Sequence, residues 1–302
     1  MARRRDVIIG LIIAVGGLMA LGMFALMMVG MSGSSSGGFE FGSISGNEIG
    51  VVEVYGAIDD DLARQVIRQL ERFTDNSSIQ AIVVHVNSPG GGVAPSQEIY
   101  DAMLRARDEK PVVVSMASVA ASGGYYIACA ADRIVANPGT LTGSIGVIFQ
   151  FHTFQDLMGK IGVGTETVKS GELKDVGSYS RPMTDKEREM LNAVVQSTYE
   201  QFVEVVAGSR EKEKTEIYPL ADGSVYTGLQ AYNLGLIDTL GGLHEAVELA
   251  ADLAEITGEP TVVRPTYRER VSIFDLLGQT LSKVNSAVDQ KLAGPSLLYL
   301  YQ

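Results

Sequence analysis

From residue 48 onward, short β-branched runs alternate with stretches of helical period. Ile49–Tyr55 reads as a strand. Asp59-Asp60-Asp61 can cap a following helix to about Phe73, with Leu62, Val66, Leu70 and Phe73 on one face. Ile79–Val86 is a continuous apolar run, the pattern of a strand buried on both sides. A helix is expected at Ser96–Arg107, a strand at Pro111–Met116 and a small-residue helix at Ser122–Ala131. Short strands follow at Arg133–Ala136, Ser144–Phe149 and Thr165–Lys169, with a helix near Phe154–Ile161. Thr184-Asp185-Lys186-Glu187 is a capping box that opens a long helix, striped by Leu191, Val194, Val195, Phe202 and Val205. Helices are expected again at Leu229–Leu234 and Leu243–Ile256. Strands alternating with helices predict an α/β fold of βαβ units on a largely parallel sheet.

The two ends break this rhythm. Val7 to Met31 carries no charge, and it exceeds the roughly 20 residues that cross a bilayer. A secretory apolar core is shorter, so a retained transmembrane helix is expected rather than a cleaved signal. Arg3, Arg4 and Arg5 precede it, which places the N-terminus in the cytoplasm and the rest on the outer side of a cell membrane. Residues 1–31 are thus a cytoplasmic stub and anchor, in contact with membrane lipid through residues 7–31. Residues 32–47 read as a Ser/Gly linker. At the other end, Phe274, Leu277, Leu281, Val284 and Val288 form a narrow helical seam within a 258–302 extension. The closing Leu297-Leu298-Tyr299-Leu300-Tyr301 is apolar for a chain end. It suits either packing on the body or docking near a neighbouring subunit's active site.

Charge and cysteine usage narrow the class. The net charge is −12, and three of the arginines sit in the first five residues, so the body is acidic. That argues against nucleic-acid binding. The single cysteine, Cys129, excludes an intrachain disulfide and is expected to be a buried core thiol. No His-Glu-x-x-His pair offers a zinc site, and neither a metal nor an organic cofactor is expected.

Ser122 carries the candidate chemistry. It lies in Ala120-Ala121-Ser122-Gly123-Gly124-Tyr125-Tyr126, a small-residue turn. A serine nucleophile needs a base within hydrogen-bond reach. His85, His152 and His244 stand in no recognisable triad frame. A lysine can serve if burial holds it neutral, and Lys174 is framed by Gly171 and Leu173 before it and Val176-Gly177-Ser178 after. The glycine run Pro89-Gly90-Gly91-Gly92 can bring one backbone amide to an oxyanion, and Gly123 at a helix start can bring a second.

Four linked motifs carry a resemblance. Val86-Asn87-Ser88-Pro89-Gly90-Gly91-Gly92, the Ser122 turn, Leu141-Thr142-Gly143-Ser144-Ile145-Gly146-Val147, and Lys169-Ser170-Gly171 with Lys174-Asp175 together resemble the signal peptide peptidase A family. The likeness runs from about residue 48 to 257, the expected peptidase domain, and takes in Asp222-Gly223-Ser224-Val225-Tyr226-Thr227-Gly228. It implies a Clp-protease/crotonase-like spiral of βαβ units. It implies Ser122 as nucleophile, Lys174 as general base, Ser144 as the hydroxyl orienting the lysine, and Gly91 and Gly123 as oxyanion donors. It also implies a homo-oligomeric ring that cuts released signal peptides at small or apolar side chains. Three other readings compete: the same chemistry on other membrane-protein clients, a crotonase-type acyl-CoA enzyme, and an inactive scaffold. The intact serine and lysine and the anchor weigh against the last two.

Overall fold

The computed structural model describes residues 47–264 and the backbone of 297–300. The expected anchor, the linker and the seamed helix of 274–288 lie outside the described residues. Among the described residues, no helix is long and apolar enough to cross a membrane.

The elements follow the expected alternation. β1 (Glu48–Tyr55) leads to α1 (Asp60–Asp75), then β2 (Ile79–Ser88), β3 (Gly90–Gly92) and α2 (Val93–Arg107). β4 (Val112–Ala121) turns into α3 (Gly123–Ala128), followed by β5 (Arg133–Ala136), β6 (Leu141–Gly143), β7 (Ile148–Phe149) and α4 (Gln155–Lys160). The long α5 (Asp185–Ser209) and short α6 (Lys214–Ile217) precede β8 (Val225–Thr227) and α7 (Gly228–Asn233). β9 (Thr239–Leu240), α8 (Leu243–Leu253), β10 (Thr261–Val263) and β11 (Leu297–Leu300) complete the order.

The main sheet runs β10-β1-β2-β4-β5-β9, and every pair along that path is parallel. Its central strands are apolar on both faces because both are covered. Val52, Val54, Ile82, Val84, Val86, Val114 and Met116 pack with α1, α2, α3 and α5 in one buried cluster. Ile49, Val51, Ala81, Val83, Val113 and Val135 pack against Ala246, Val247, Ala250 and Ala251 of α8 in a second. The far end of β4 bends off this plane to pair with β6, which pairs antiparallel with β8. That branch brings the turns after β3, β4 and β6 together.

Local signals explain most boundaries. The Asp59 side chain accepts from the Leu62 amide and caps α1, and Thr184 with Glu187 forms the expected capping box on α5. α2 begins at Val93, earlier than the expected Ser96, because Pro95 is tolerated in a first helical turn. The expected strand at Ser144–Phe149 is not continuous. Gly143 and Ser144 both take positive φ, 78° and 50°, which ends β6 and leaves only Ile148–Phe149 as β7. The expected strand at Thr165–Lys169 does not form; no strand pairs with this segment, and Val168 is 96% exposed. On α5, Leu191 and Phe202 are buried as expected, but Val194 faces solvent and Val203 and Val206 take the inner positions. Cys129 is a buried free thiol, and burial pushes its pKa up to about 12.

Candidate active site

β4 ends in Ala120-Ala121, buried small residues, and reverses into α3 over one position, Ser122. Its backbone sits at φ 54° and ψ −116°. A non-glycine residue there stores about 1–3 kcal/mol of strain, which the surroundings must hold in place. They do so from both sides. The Ser122 amide donates to the Gly143 carbonyl at 2.8 Å, and its carbonyl accepts from the Tyr125 and Tyr126 amides at 2.9 and 2.8 Å. The result is a strand–turn–helix elbow with the serine at its apex. Ser122 is only 1% exposed, and its Oγ has no hydrogen-bond partner. An unpaired buried hydroxyl costs about 1–3 kcal/mol. Strain and desolvation at the same residue mark a site kept for chemistry rather than for stability.

The glycine run lies against this elbow. A Cβ on Gly124 would come 2.9 Å from the Ser88 carbonyl, so α3 packs directly on the turn between β2 and β3. Ile58 donates to the Gly90 carbonyl at 2.9 Å, and the Gly92 amide donates to the Ile58 carbonyl at 2.8 Å. Backbone groups alternate edges along an extended chain. Gly91 therefore turns its own N–H and C=O away from Ile58. Its missing side chain is a requirement, since a Cβ would stand 2.1 Å from the Ile58 carbonyl oxygen. Gly123 is the first residue of α3, where amides have no partner within the helix.

Ser144 occupies the adjoining turn, 8% exposed and at positive φ. Its amide donates to the Ser224 carbonyl at 2.7 Å. Asp222 accepts from the Ser224 amide at 2.9 Å through Oδ1, and hydrogen bonds from the Ser224 hydroxyl and then its amide hold the carboxyl below the usual range. The Tyr226 ring lies under Gly143, where a Cβ would meet it at 2.5 Å. Asp222 and Ser224 thus brace the turn that bonds the Ser122 amide. Sequence reasoning placed Asp222-Gly223-Ser224 within the resemblance but gave Asp222 no role. The signal was the Asp-x-Ser spacing, which lets a carboxylate accept from its own backbone two residues on. A cavity of ≈ 550 Å³ opens beside Ser144, lined by Val147, Ile148, Tyr199 and Asp222 among others.

Lys174 stands elsewhere on the chain. It lies in a 3-10 turn, Glu172–Asp175, and is exposed. Because Ser122 Oγ has no hydrogen-bond partner, the two residues do not meet within this chain. The turn itself is firmly built. Asp175 accepts from Lys169 at 2.6 Å and from Arg181 Nε at 3.0 Å. Arg181 also reaches Glu187 at 2.9 Å, and Glu187 accepts from the Thr184 amide at 2.8 Å. The Arg181 guanidinium holds the Glu187 carboxyl down at about 2 and the Asp175 carboxyl well below the usual range. The 3-10 turn is thereby tied to the start of α5. Preceding it is an apolar surface: Phe154, Leu157, Ile161 and Val163 are each at least half exposed, and α4 buries no residue.

The histidines give no alternative base. His85 Nδ1 lies 3.2 Å from both the carbonyl and Oγ of Ser115, and His152 and His244 are exposed. No group of His, Cys, Asp and Glu among the described residues is arranged to hold a metal ion.

Comparison with known proteins defines the class. Residues 105–257 match the model of peptidase family S49, and residues 47–139 match that of Clp protease. A Synechocystis protein named as a protease is 39% identical over 207 residues, 68% of this chain and 74% of its own length. Protease 4 of Haemophilus influenzae is 36% identical over 215 residues, and the chloroplastic serine protease SPPA of Arabidopsis thaliana is 35% identical over 235. This chain spans 35% of the length of each of those two. A solved ClpP1 from Listeria monocytogenes superposes with a TM-score of 0.47 at 19% identity, covering 68% of this chain and 96% of that one. The chain is therefore a serine peptidase with a Clp-protease-like α/β fold, and it belongs to peptidase family S49, the signal peptide peptidase A family.

Proposed function

We propose that this chain is a membrane-anchored endopeptidase that cuts released signal peptides through a Ser–Lys dyad. The observation that carries the reading is Ser122, a strained and buried hydroxyl without a partner, set between the Gly91 strand and the Ser144 turn. In the mechanism, Ser122 Oγ attacks a peptide carbonyl while Lys174 takes its proton. The amides of Gly91 and Gly123 hold the oxyanion, and Ser144 orients the lysine amine. Lys174 returns the proton to the leaving amine, and water then releases the acyl chain. The choice of signal peptides rests on the family resemblance and on an Enterococcus faecium relative named signal peptide peptidase SppA. The apolar segment of residues 7–31 supplies the anchor.

The base comes from a second copy of the chain. Lys174 is exposed and does not reach Ser122 in its own protomer, while the apolar surface of Phe154, Leu157 and Ile161 beside it calls for cover. Burial between protomers would exclude water and favour the neutral amine that a general base needs. A head-to-tail contact of this kind closes into a ring.

Two measurements test the reading. Ser122→Ala and Lys174→Ala should each abolish cleavage of an apolar fluorogenic peptide. Mixing the two inactive chains and reassembling them should restore about a quarter of wild-type activity, since one site in four then pairs an intact serine with an intact neighbouring lysine. Retained activity in either single variant would overturn the dyad. A mixture that stays inactive, under conditions where wild-type chains reassemble to full activity, would overturn sharing between protomers.

A further inference from the structure

The 3-10 turn Glu172–Asp175 pairs its charges selectively. Glu172 is bonded by Lys186 from the first turn of α5. Asp175 is held by two cations at once, by Lys169 Nζ at 2.6 Å and by Arg181, with Nε at 3.0 Å and a second guanidinium nitrogen at 2.8 Å. Lys169 also donates to the Glu172 carbonyl at 2.8 Å. Arg181 carries the clamp on to Glu187, a carboxylate only 1% exposed. These are the charged groups of the turn and of the segments bonded to it. Among the described residues, Lys174 is the one charged side chain of the turn without a partner.

This selectivity matters to a base, which must lose its own proton near the working pH. A carboxylate within about 4–6 Å favours the charged amine and holds the proton on. Asp175 is the next residue along the chain. Hydrogen bonds from Arg181 and then Lys169 keep its carboxyl well below the usual range, so it is ionised. Both of its oxygens are already engaged, Oδ1 by Lys169 and Arg181 and Oδ2 by Arg181. Lys169, Arg181, Asp175 and Glu187 together form a cluster of zero net charge, and Lys174 stands outside it as a surplus cation. Without Arg181 the cluster would keep one uncompensated negative charge beside the lysine.

We propose that Arg181 is a positioning residue for the base: it ties the Lys174 turn to α5 and takes up the Asp175 carboxylate that would otherwise pair with Lys174. The inference rests on the Ser–Lys reading and deepens it by naming the group that leaves the lysine free to give up its proton. Arginine suits the task. Its planar fork bonds two carboxylates in fixed directions, here Asp175 and Glu187, and it stays charged across the whole range in which a lysine titrates.

The test is the pH profile of kcat/KM on an apolar fluorogenic peptide, measured with full-length chains. In the wild type it should rise with pH as Lys174 deprotonates. Arg181→Gln should move the rising limb up by about one pH unit, which makes activity about tenfold lower on the acid side of the limb, with KM little changed. Adding Asp175→Asn to Arg181→Gln should bring the limb back, since the carboxylate beside the lysine is gone. Any deficit left on the alkaline plateau then measures the misplaced turn. An Arg181→Gln limb that stays in place, or one that stays displaced in the double variant, would overturn the proposal. Should Arg181→Gln fail to fold, Lys169→Gln replaces it. That variant takes the other cation from Asp175, leaves the tie to α5 intact and should move the limb the same way; an unmoved limb there also overturns the proposal. Failure of the underlying reading looks different. A wild-type profile with no rising limb, or an active Lys174→Ala chain, would sink the dyad and this proposal with it, whereas an unmoved limb sinks this proposal alone.

Discussion

Replacing Ser122 by glycine should inactivate the enzyme and stabilise the fold. Two terms contribute. The backbone at φ 54° and ψ −116° stores about 1–3 kcal/mol in any residue with a Cβ, and glycine releases it. The unpartnered buried Oγ adds a desolvation cost of about 1–3 kcal/mol that disappears with the side chain. Against these stands the extra freedom of glycine in the unfolded chain, about 0.4–1 kcal/mol. Ser122→Ala removes the hydroxyl and keeps the strain. The difference between the two variants therefore isolates the strain, at a net gain for glycine of about 0–2.6 kcal/mol, about 1.3 at mid-range. At about 2–4 °C per kcal/mol for a domain of this size, calorimetry resolves the order readily. Ser122→Gly should melt above Ser122→Ala. The usual ranking, with glycine below alanine by roughly 1 kcal/mol, would refute the claim that this turn is strained.

Gly91→Ala forces a Cβ to within 2.1 Å of the Ile58 carbonyl and displaces the amide that faces away from Ile58. It should cost about 1–3 kcal/mol of stability and lower kcat by about 10²–10³, as loss of an oxyanion donor does; activity within twofold of wild type would exclude Gly91 from that role. Asp222→Ala should lower kcat with KM little changed, and Asp222→Asn should restore it, because an amide oxygen can accept from Ser224 as the carboxylate does; equal loss in both variants would mean the charge matters and the turn does not. The folded carboxyls of Asp175 and Glu187 are depressed, so their contribution to holding the Lys174 turn is complete above about pH 5 and fades as pH falls through 4 towards 2. Hydrogen exchange in residues 172–188, taken relative to the intrinsic amide rate at each pH, should accelerate over that window. In Arg181→Ala it should already be fast at pH 7; slow exchange there would show that Arg181 does not hold the turn.

What the sequence made legible was local or periodic. β2 and β5 were readable because the buried stretches of a parallel strand are apolar in runs, Ala81–Val84 and Ile134–Ala136, without strict alternation. The α5 start was readable because Thr184 and Glu187 satisfy each other within four residues. The extension of β4 beyond Met116 was hidden, because Ala117 to Ala121 are small residues chosen for close approach at the elbow rather than for strand propensity. Thr165–Lys169 had the pattern of a strand and no partner to pair with. Of the candidate site, Ser122 and Ser144 were legible through tight turns at positive φ, Gly91 through a close backbone approach that excludes a Cβ, and Gly123 through its place at a helix start. Lys174 was recognisable only by its frame. Nothing in a linear pattern tells whether a base and its nucleophile meet within one chain or across two.

β3 and β7 flank β11 as two parallel edges, two strand spacings apart, and a substrate held between them would have to be extended. A strand advances about 3.3 Å per residue, whereas a helix advances 1.5 Å and is about 10 Å across. No helical segment can lie between two edges spaced for a single extended chain. Under the proposed function, a peptide that arrives as a helix would have to be unwound across the reacting bond before any side chain is sampled. Proline opposite Gly91 would forfeit a bond to that edge. Discrimination by such a site would begin with the shape of the backbone, ahead of the residues a peptide carries.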